Sequence, residues 1–141
     1  MLESAVLTLP SDCVFHHIGY ATHSIQGEQS FLCALGYEIE GECFEDPSQG
    51  IFGCFMVGSG PRIELLENLE GSQTLTPWLN AGIKMYHFAY LVNSVDQAID
   101  WATTQRARII TKATPAVAFG GRNIAFVMFR NKLLVEFIQT K

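Results

Sequence analysis

Two histidines and two glutamates recur along the chain with nearly the same spacing. Residues 17–20 read His-Ile-Gly-Tyr and residues 87–90 read His-Phe-Ala-Tyr; Glu64 follows the first histidine by 47 residues and Glu136 follows the second by 49. Each glutamate lies in an apolar run, Arg62-Ile63-Glu64-Leu65-Leu66 in one case and Leu134-Val135-Glu136-Phe137-Ile138 in the other. Imidazole nitrogen and carboxylate oxygen are the donor types that hold divalent transition ions. A lone histidine in a strand is more often a hydrogen-bonded structural residue, and a lone glutamate more often faces solvent. Their repetition at matching offsets supplies two like half-sites, so His17, Glu64, His87 and Glu136 are the candidate ligands of one divalent metal ion.

The elements that must position these residues follow the same repeat. Residues 14–22 are rich in β-branched and aromatic side chains and predict a strand, while 25–35 carry a helical apolar spacing that stops at Gly36. Strands are predicted at 37–44, 50–57 and 62–67. In the second half 85–92 is the strand, Ser94-Val-Asp-Gln97 is a capping-box start for a helix to about residue 106, and strands follow at 108–113, 122–129 and 133–139. Residues 71–82 read as a turn and a short helix that tolerates Pro77 in its first turn. Both halves are β-α-β-β-β. A chain of 141 residues is too short for two independent domains, so a single domain over 1–141 is expected, with modules 14–70 and 83–140 joined by the connector 71–82.

Period-two alternation places Phe15, His17, Gly19 and Ala21 on one strand face, and Met85, His87, Ala89 and Leu91 on another. Glu64 shares a face with Arg62 and Leu66, and Glu136 with Leu134 and Ile138. A carboxylate on a covered face must be paired, bound to a cation or protonated. His16 points to the opposite strand face and His23 lies beyond the strand, so both are read as surface or supporting residues. Glu38, Glu40, Glu42, Glu45, Glu67 and Glu70 lack counterparts in the other half and are read as solvated.

Composition narrows the function classes. With 48% hydrophobic and 16% charged residues the chain is globular, and no apolar run approaches the ~20 residues of a membrane span. Residues 1–10 lack the basic start and long apolar stretch of a signal peptide, which predicts a cytoplasmic protein. A net charge of −5 with scattered Lys and Arg argues against nucleic acid as a partner. Cys13, Cys33, Cys43 and Cys54 show no close spacing for zinc or a redox pair and are expected to be reduced and mostly buried. The segment 116–122, Ala-Val-Ala-Phe-Gly-Gly-Arg, reads either as a lid whose Arg122 meets a substrate carboxylate or phosphate, or as a hairpin turn with an exposed arginine. Arg62 and Lys84 are substrate-binding candidates of the same kind. Trp78, Leu79 and Ile83 in the connector suggest an apolar surface that a homodimer would cover.

The paired β-α-β-β-β modules, with His17-Ile-Gly-Tyr, Ile63-Glu-Leu-Leu-Glu, Tyr86-His-Phe-Ala-Tyr and Leu134-Val-Glu-Phe in order, resemble the vicinal oxygen chelate superfamily. That superfamily includes glyoxalase I, methylmalonyl-CoA epimerase, extradiol dioxygenases and antibiotic-resistance binding proteins, and the likeness is greatest to its epimerase-like branch. It spans about residues 14–139. The fold it implies is α+β of the glyoxalase type, two βαβββ modules forming an open eight-stranded barrel-like sheet around one divalent ion such as nickel, cobalt, zinc or manganese. The activity it implies is a lyase or isomerase that moves a proton next to a carbonyl, acting on a small molecule with a carbonyl or thioester group. There the ion serves as a Lewis acid for a developing enolate. Glu136 is then the candidate base and Glu64 the second catalytic carboxylate, on the opposite side. The chain departs from the epimerase pattern at 46–50, Asp-Pro-Ser-Gln-Gly, where a further glutamate is expected, and it lacks the arginine that anchors glutathione in glyoxalase I. Two other classes stay open: a non-catalytic small-molecule binding protein, and a ring-cleaving dioxygenase, against which the second glutamate argues.

Overall fold

The computed structural model describes residues 12–140, so the reading of residues 1–10 falls outside it. Eight strands and three helices form among the described residues: β1 Val14–Ala21, α1 Ile25–Ala34, β2 Glu38–Asp46, β3 Ile51–Val57, β4 Ile63–Asn68, α2 Thr76–Ala81, β5 Met85–Val92, α3 Val95–Thr104, β6 Arg108–Pro115, β7 Asn123–Met128 and β8 Leu134–Gln139. The strands form one mixed sheet in the order β2-β3-β4-β1-β5-β8-β7-β6. The fold is α+β, with the two βαβββ repeats read from the sequence. None of the helices is long and apolar enough to cross a membrane.

Contacts divide the chain into a unit of residues 17–87 and a unit of residues 88 onward with the strand start up to His16. In the first, β4 runs parallel to β1 with Ile18, Gly19 and Tyr20 opposite Ile63, Glu64 and Leu65. Alternation then separates two populations. Tyr20, Ile63 and Leu65 pack with Cys54 and Met56 against Ile25 and Leu32 of α1, while Gly19 and Glu64 point the other way. In the second unit β8 runs parallel to β5, with Ala89 opposite Glu136 and Tyr90 opposite Phe137. Val92, Val135 and Phe137 form the core there with Val95, Ala98 and Ala102 of α3.

The two principal helices start alike. Ser24 Oγ accepts from Gly27 N–H at 3.3 Å and Ser94 Oγ from Gln97 N–H at 3.1 Å. A second acceptor comes from the last strand of each repeat. Glu67 Oε1 takes the Ile25 N–H at 2.8 Å, and Gln139 Oε1 takes the Val95 N–H at 2.9 Å. Glu67 is therefore a helix cap whose counterpart is Gln139, a correction to its reading as a solvated residue without one. The isosteric swap of carboxylate for amide conceals the match in sequence, because a backbone donor needs only an oxygen. Helix α1 ends where expected, with Gly36 at φ +93°. Tyr20 OH donates to Glu28 at 2.8 Å, and burial together with that bond pushes the phenol pKa up to about 12.

The cysteine expectation needs correction as well. All four are free, but only Cys54 is buried; Cys33 and Cys43 are exposed and Cys13 is half-buried. Cys33 lies on the outer surface of a helix with one covered face, and Cys43 on a strand at the edge of the sheet, positions that residue type alone does not reveal.

Gly19 marks a close approach within the first unit: a β-carbon built there would lie 2.0 Å from His87 Cε1 and 2.1 Å from its Nδ1. At Gly27, in α1, the nearest atom would be Ser24 Oγ at 3.8 Å. Gly19→Ala is expected to lower stability by about 1–3 kcal/mol, the usual cost of overpacking. Gly27→Ala is expected to raise it by about 0.5–1 kcal/mol through helix propensity. Urea unfolding of both variants checks the contrast, and equal effects would show that the approach to His87 carries no strain.

Candidate metal centre

Three of the four candidate ligands meet inside the unit of residues 17–87. His17 Nε2 lies 2.9 Å from Glu64 Oε1, His87 Nε2 lies 3.8 Å from the same oxygen, and the two Nε2 atoms are 3.3 Å apart. All three residues are buried, His17 at 0% exposure, His87 at 2% and Glu64 at 4%. Strand register explains the convergence. Glu64 stands opposite Gly19 on β1, two residues beyond His17 and so on the same face, and the missing side chain at Gly19 is the space that the His87 ring occupies.

Aromatic rings orient both imidazoles. Phe55, opposite Glu64 on β3, meets the His17 ring edgewise at 5.3 Å. Tyr86 stands perpendicular to His87 at 4.5 Å and is backed by Trp78 of α2 at 4.8 Å. These positioning rings were not singled out as such in the sequence; their signal is adjacency, Tyr86 preceding His87 and Phe55 lying on the neighbouring strand.

The donor set fits a divalent ion. Two imidazole nitrogens and a carboxylate oxygen directed at one point repel unless a proton or a cation lies between them. With metal–ligand bonds of about 2.1 Å, neighbouring donors should be ~3.0 Å apart at right angles and ~3.4 Å apart in a tetrahedron. The observed 2.9 Å and 3.3 Å edges match that range, and the 3.8 Å edge is slightly open. The cluster could hold a metal ion.

Glu136 belongs to the other unit, where it is buried at 3% exposure on β8. Its surroundings repeat those of Glu64. Ala89 stands opposite it on β5, two residues beyond His87, and Phe126 stands opposite it on β7 as Phe55 does for Glu64. In both halves a small residue flanks the carboxylate on one side and a phenylalanine on the other.

The remaining candidates are engaged by the protein itself. Arg62 Nε donates to Glu40 Oε1 at 2.9 Å. Arg122 Nε donates to Phe119 O at 3.1 Å and its NH1 group to Gln139 O at 3.4 Å, which ties down a 3-10 turn at Val117–Phe119. Lys84 pairs with Glu28 at 3.0 Å. Asp46 is buried and accepts from Ser48 Oγ at 2.6 Å and Gln49 Nε2 at 2.8 Å, so its carboxylate closes the turn after β2. His16 packs against Phe119 at 5.6 Å, and His23 is exposed.

Comparison with known proteins agrees with the fold. A hypothetical protein from Bacillus halodurans C-125 superposes with a TM-score of 0.80 at 27% identity, covering 93% of this chain and 96% of the other. Methylmalonyl-CoA epimerase from Mycobacterium tuberculosis gives 0.76 at 18% identity, covering 99% and 96%. A Streptomyces coelicolor methylmalonyl-CoA epimerase variant in complex with 2-nitronate-propionyl-CoA gives 0.71 at 19% identity, covering 90% and 96%. No curated protein matches the chain in sequence. The family model for the Glyoxalase/Bleomycin resistance protein/Dioxygenase superfamily matches residues 16–126, most of the chain, and the protein belongs to that superfamily.

Proposed function

We propose that His17, Glu64, His87 and Glu136 together hold one divalent ion, nickel, cobalt, zinc or manganese, and that the protein is an isomerase or lyase moving a proton next to a carbonyl. The observation that carries this reading is the pair of equivalent half-sites. Each histidine has a glutamate in register two residues further along its own strand pair, and the two half-sites between them offer the donor types for an ion. The structural likeness to methylmalonyl-CoA epimerases supports an isomerase over a ring-cleaving enzyme, as does the second carboxylate.

When bound, the ion supplies positive charge for the negative charge that develops on the substrate's carbonyl oxygen. The chain's own groups move the proton. Glu136 accepts it from the carbon next to the carbonyl, and Glu64, from the other half of the repeat, returns one. His17 and His87, fixed by Phe55 and Tyr86, hold the donor geometry, and the apolar strands around them exclude water. Arg122 and Arg62 receive the acidic part of the substrate by exchanging their present acceptors for it. The substrate class is a small molecule with a carbonyl or thioester. The protein works as a single catalytic domain in the cytoplasm and as a homodimer, with exposed Met85 and Ile83 among the apolar side chains available for an interface.

Purified protein is expected to take up about one divalent ion per chain, with His87→Ala reducing uptake at least tenfold in elemental analysis. Equal metal in both proteins would remove the site. Glu136→Gln is expected to keep the fold and much of the metal, since an amide oxygen still coordinates, yet to lose proton exchange by ~100-fold or more. The measurement is deuterium incorporation from heavy water into a panel of 2-oxo, 2-hydroxy and acyl-thioester compounds. Exchange that persists in the variant would move the base to Glu64 or Asp46. Tight binding of one compound without exchange would instead favour the non-catalytic reading. Light scattering at high micromolar concentration checks the dimer, which a monomeric mass would overturn.

A further inference from the structure

The register of β2 against β3 brings two cysteines together that are eleven positions apart in the chain. Glu40 stands opposite Phe55 and Phe44 opposite Gly53, so between these two pairs β2 has Gly41, Glu42 and Cys43 where β3 has only Cys54. The extra residues form a bulge, and Gly41, at φ +70°, supplies the left-handed turn it needs. The bulge therefore sets Cys43, adjacent to the Phe44–Gly53 pair, beside Cys54, the single β3 residue that faces the extra ones. Opposed residues of antiparallel strands have Cα atoms about 4.5–5.5 Å apart. A disulfide spans about 4.4–6.8 Å.

The two thiols differ in access. Cys43 is exposed, whereas Cys54 has 0% exposure beneath α1, where Gln29 Nε2 approaches its sulfur at 3.1 Å. Burial pushes the Cys54 thiol up to about 11, and the exposed Cys43 is the sulfur of the two that an oxidant in solution reaches. We propose that Cys43 and Cys54 are a reversible thiol–disulfide pair, a modification site on the strand next to Phe55 and the His17–Glu64–His87 cluster.

The step needs a two-electron oxidant, for which a peroxide serves. The Cys43 sulfur attacks one peroxide oxygen, the O–O bond breaks, the thiol proton leaves with the departing hydroxide as one water, and the sulfur becomes a sulfenic acid. The Cys54 sulfur then displaces the hydroxyl from Cys43, its own proton leaves with that oxygen as a second water, and the S–S bond forms. The bulge is the movable part, because an edge strand gives up few partners when it shifts. Cys33, exposed on α1, and Cys13, in the other unit, are bystanders.

The test uses the full chain treated with dilute hydrogen peroxide, followed by thiol counting and peptide mapping under non-reducing conditions. Two of the four thiols should disappear, with one peptide pair linking Cys43 to Cys54, and dithiothreitol should restore all four. Cys43→Ser, which alters an exposed side chain, should fold normally and form no internal disulfide, while Cys33→Ser should behave as the native chain. Four reactive thiols after treatment, a linkage through Cys33 or Cys13, or an internal disulfide that survives Cys43→Ser would each overturn the pairing. None of these readouts depends on metal content or catalytic activity, so the pairing stands or falls separately from the proposed function.

Discussion

Parallel pairing of the first and fourth strand of each repeat is the constraint on which the rest of this protein depends. In β1 with β4, and in β5 with β8, the register sets Glu64 opposite Gly19 and Glu136 opposite Ala89, each two residues beyond a histidine. Because side chains alternate along a strand, a slip of one residue would turn every glutamate into the apolar layer beneath a helix and every leucine or valine onto the polar face. The apolar layers themselves oppose such a slip. Leu65 and Phe137 are fully buried, and exchanging either for a neighbouring carboxylate would place an unpaired charge in the core. Packing on one face thus holds the donors on the other in place.

The site carries an energetic tension that fold stability alone does not resolve. A carboxylate and two imidazoles are held at hydrogen-bonding distances with almost no solvent access. Taking such groups out of water costs several kcal/mol per charge unless each is matched by a partner or counter-charge. Glycine at position 19, with Phe55 and Tyr86 against the rings, keeps the donors close in spite of that cost. A divalent cation would supply the counter-charge that such an arrangement calls for, and the spacing of the donors suits its bond lengths.

The repeat also shows which similarities are enforced by physics and which are free to drift. Both principal helices keep a serine N-cap and a second acceptor from the last strand, yet the acceptor is a carboxylate in Glu67 and an amide in Gln139. Both edge strands, β2 and β6, carry irregular register, which interrupts the row of exposed backbone donors and acceptors that would invite edge pairing. In β2 the irregularity sets Cys43 beside Cys54, while the matching stretch of β6 holds threonine, Thr111 Oγ1 accepting the Phe126 N–H at 3.0 Å. The same structural device thus carries different chemistry in the two halves.

The order of elements, the helix stop at Gly36, the Ser94 cap and the candidate ligands were legible in the sequence, because each is a local pattern: periodicity, a capping spacing, a repeated tetrapeptide. Observed boundaries differ from the expected ones by one or two residues at most ends, as fraying and strand pairing dictate. Other features are decided by pairings between distant residues, and local spacing carries no trace of them. Glu67 becomes a cap only because β4 ends beside the start of α1; Cys43 meets Cys54 only because a bulge absorbs the extra residues of β2. Arg62 and Arg122, read as free cations for a substrate, found Glu40 and two backbone carbonyls as acceptors across the sheet and loop. The sequence by itself determined that two histidines and two glutamates recur on matching strands, since alternation and repetition are one-dimensional. Only the tertiary structure decided that His17, Glu64 and His87 lie within bonding reach of one another, because that distance is set by register, by the space above Gly19 and by the packing of helices on the opposite face.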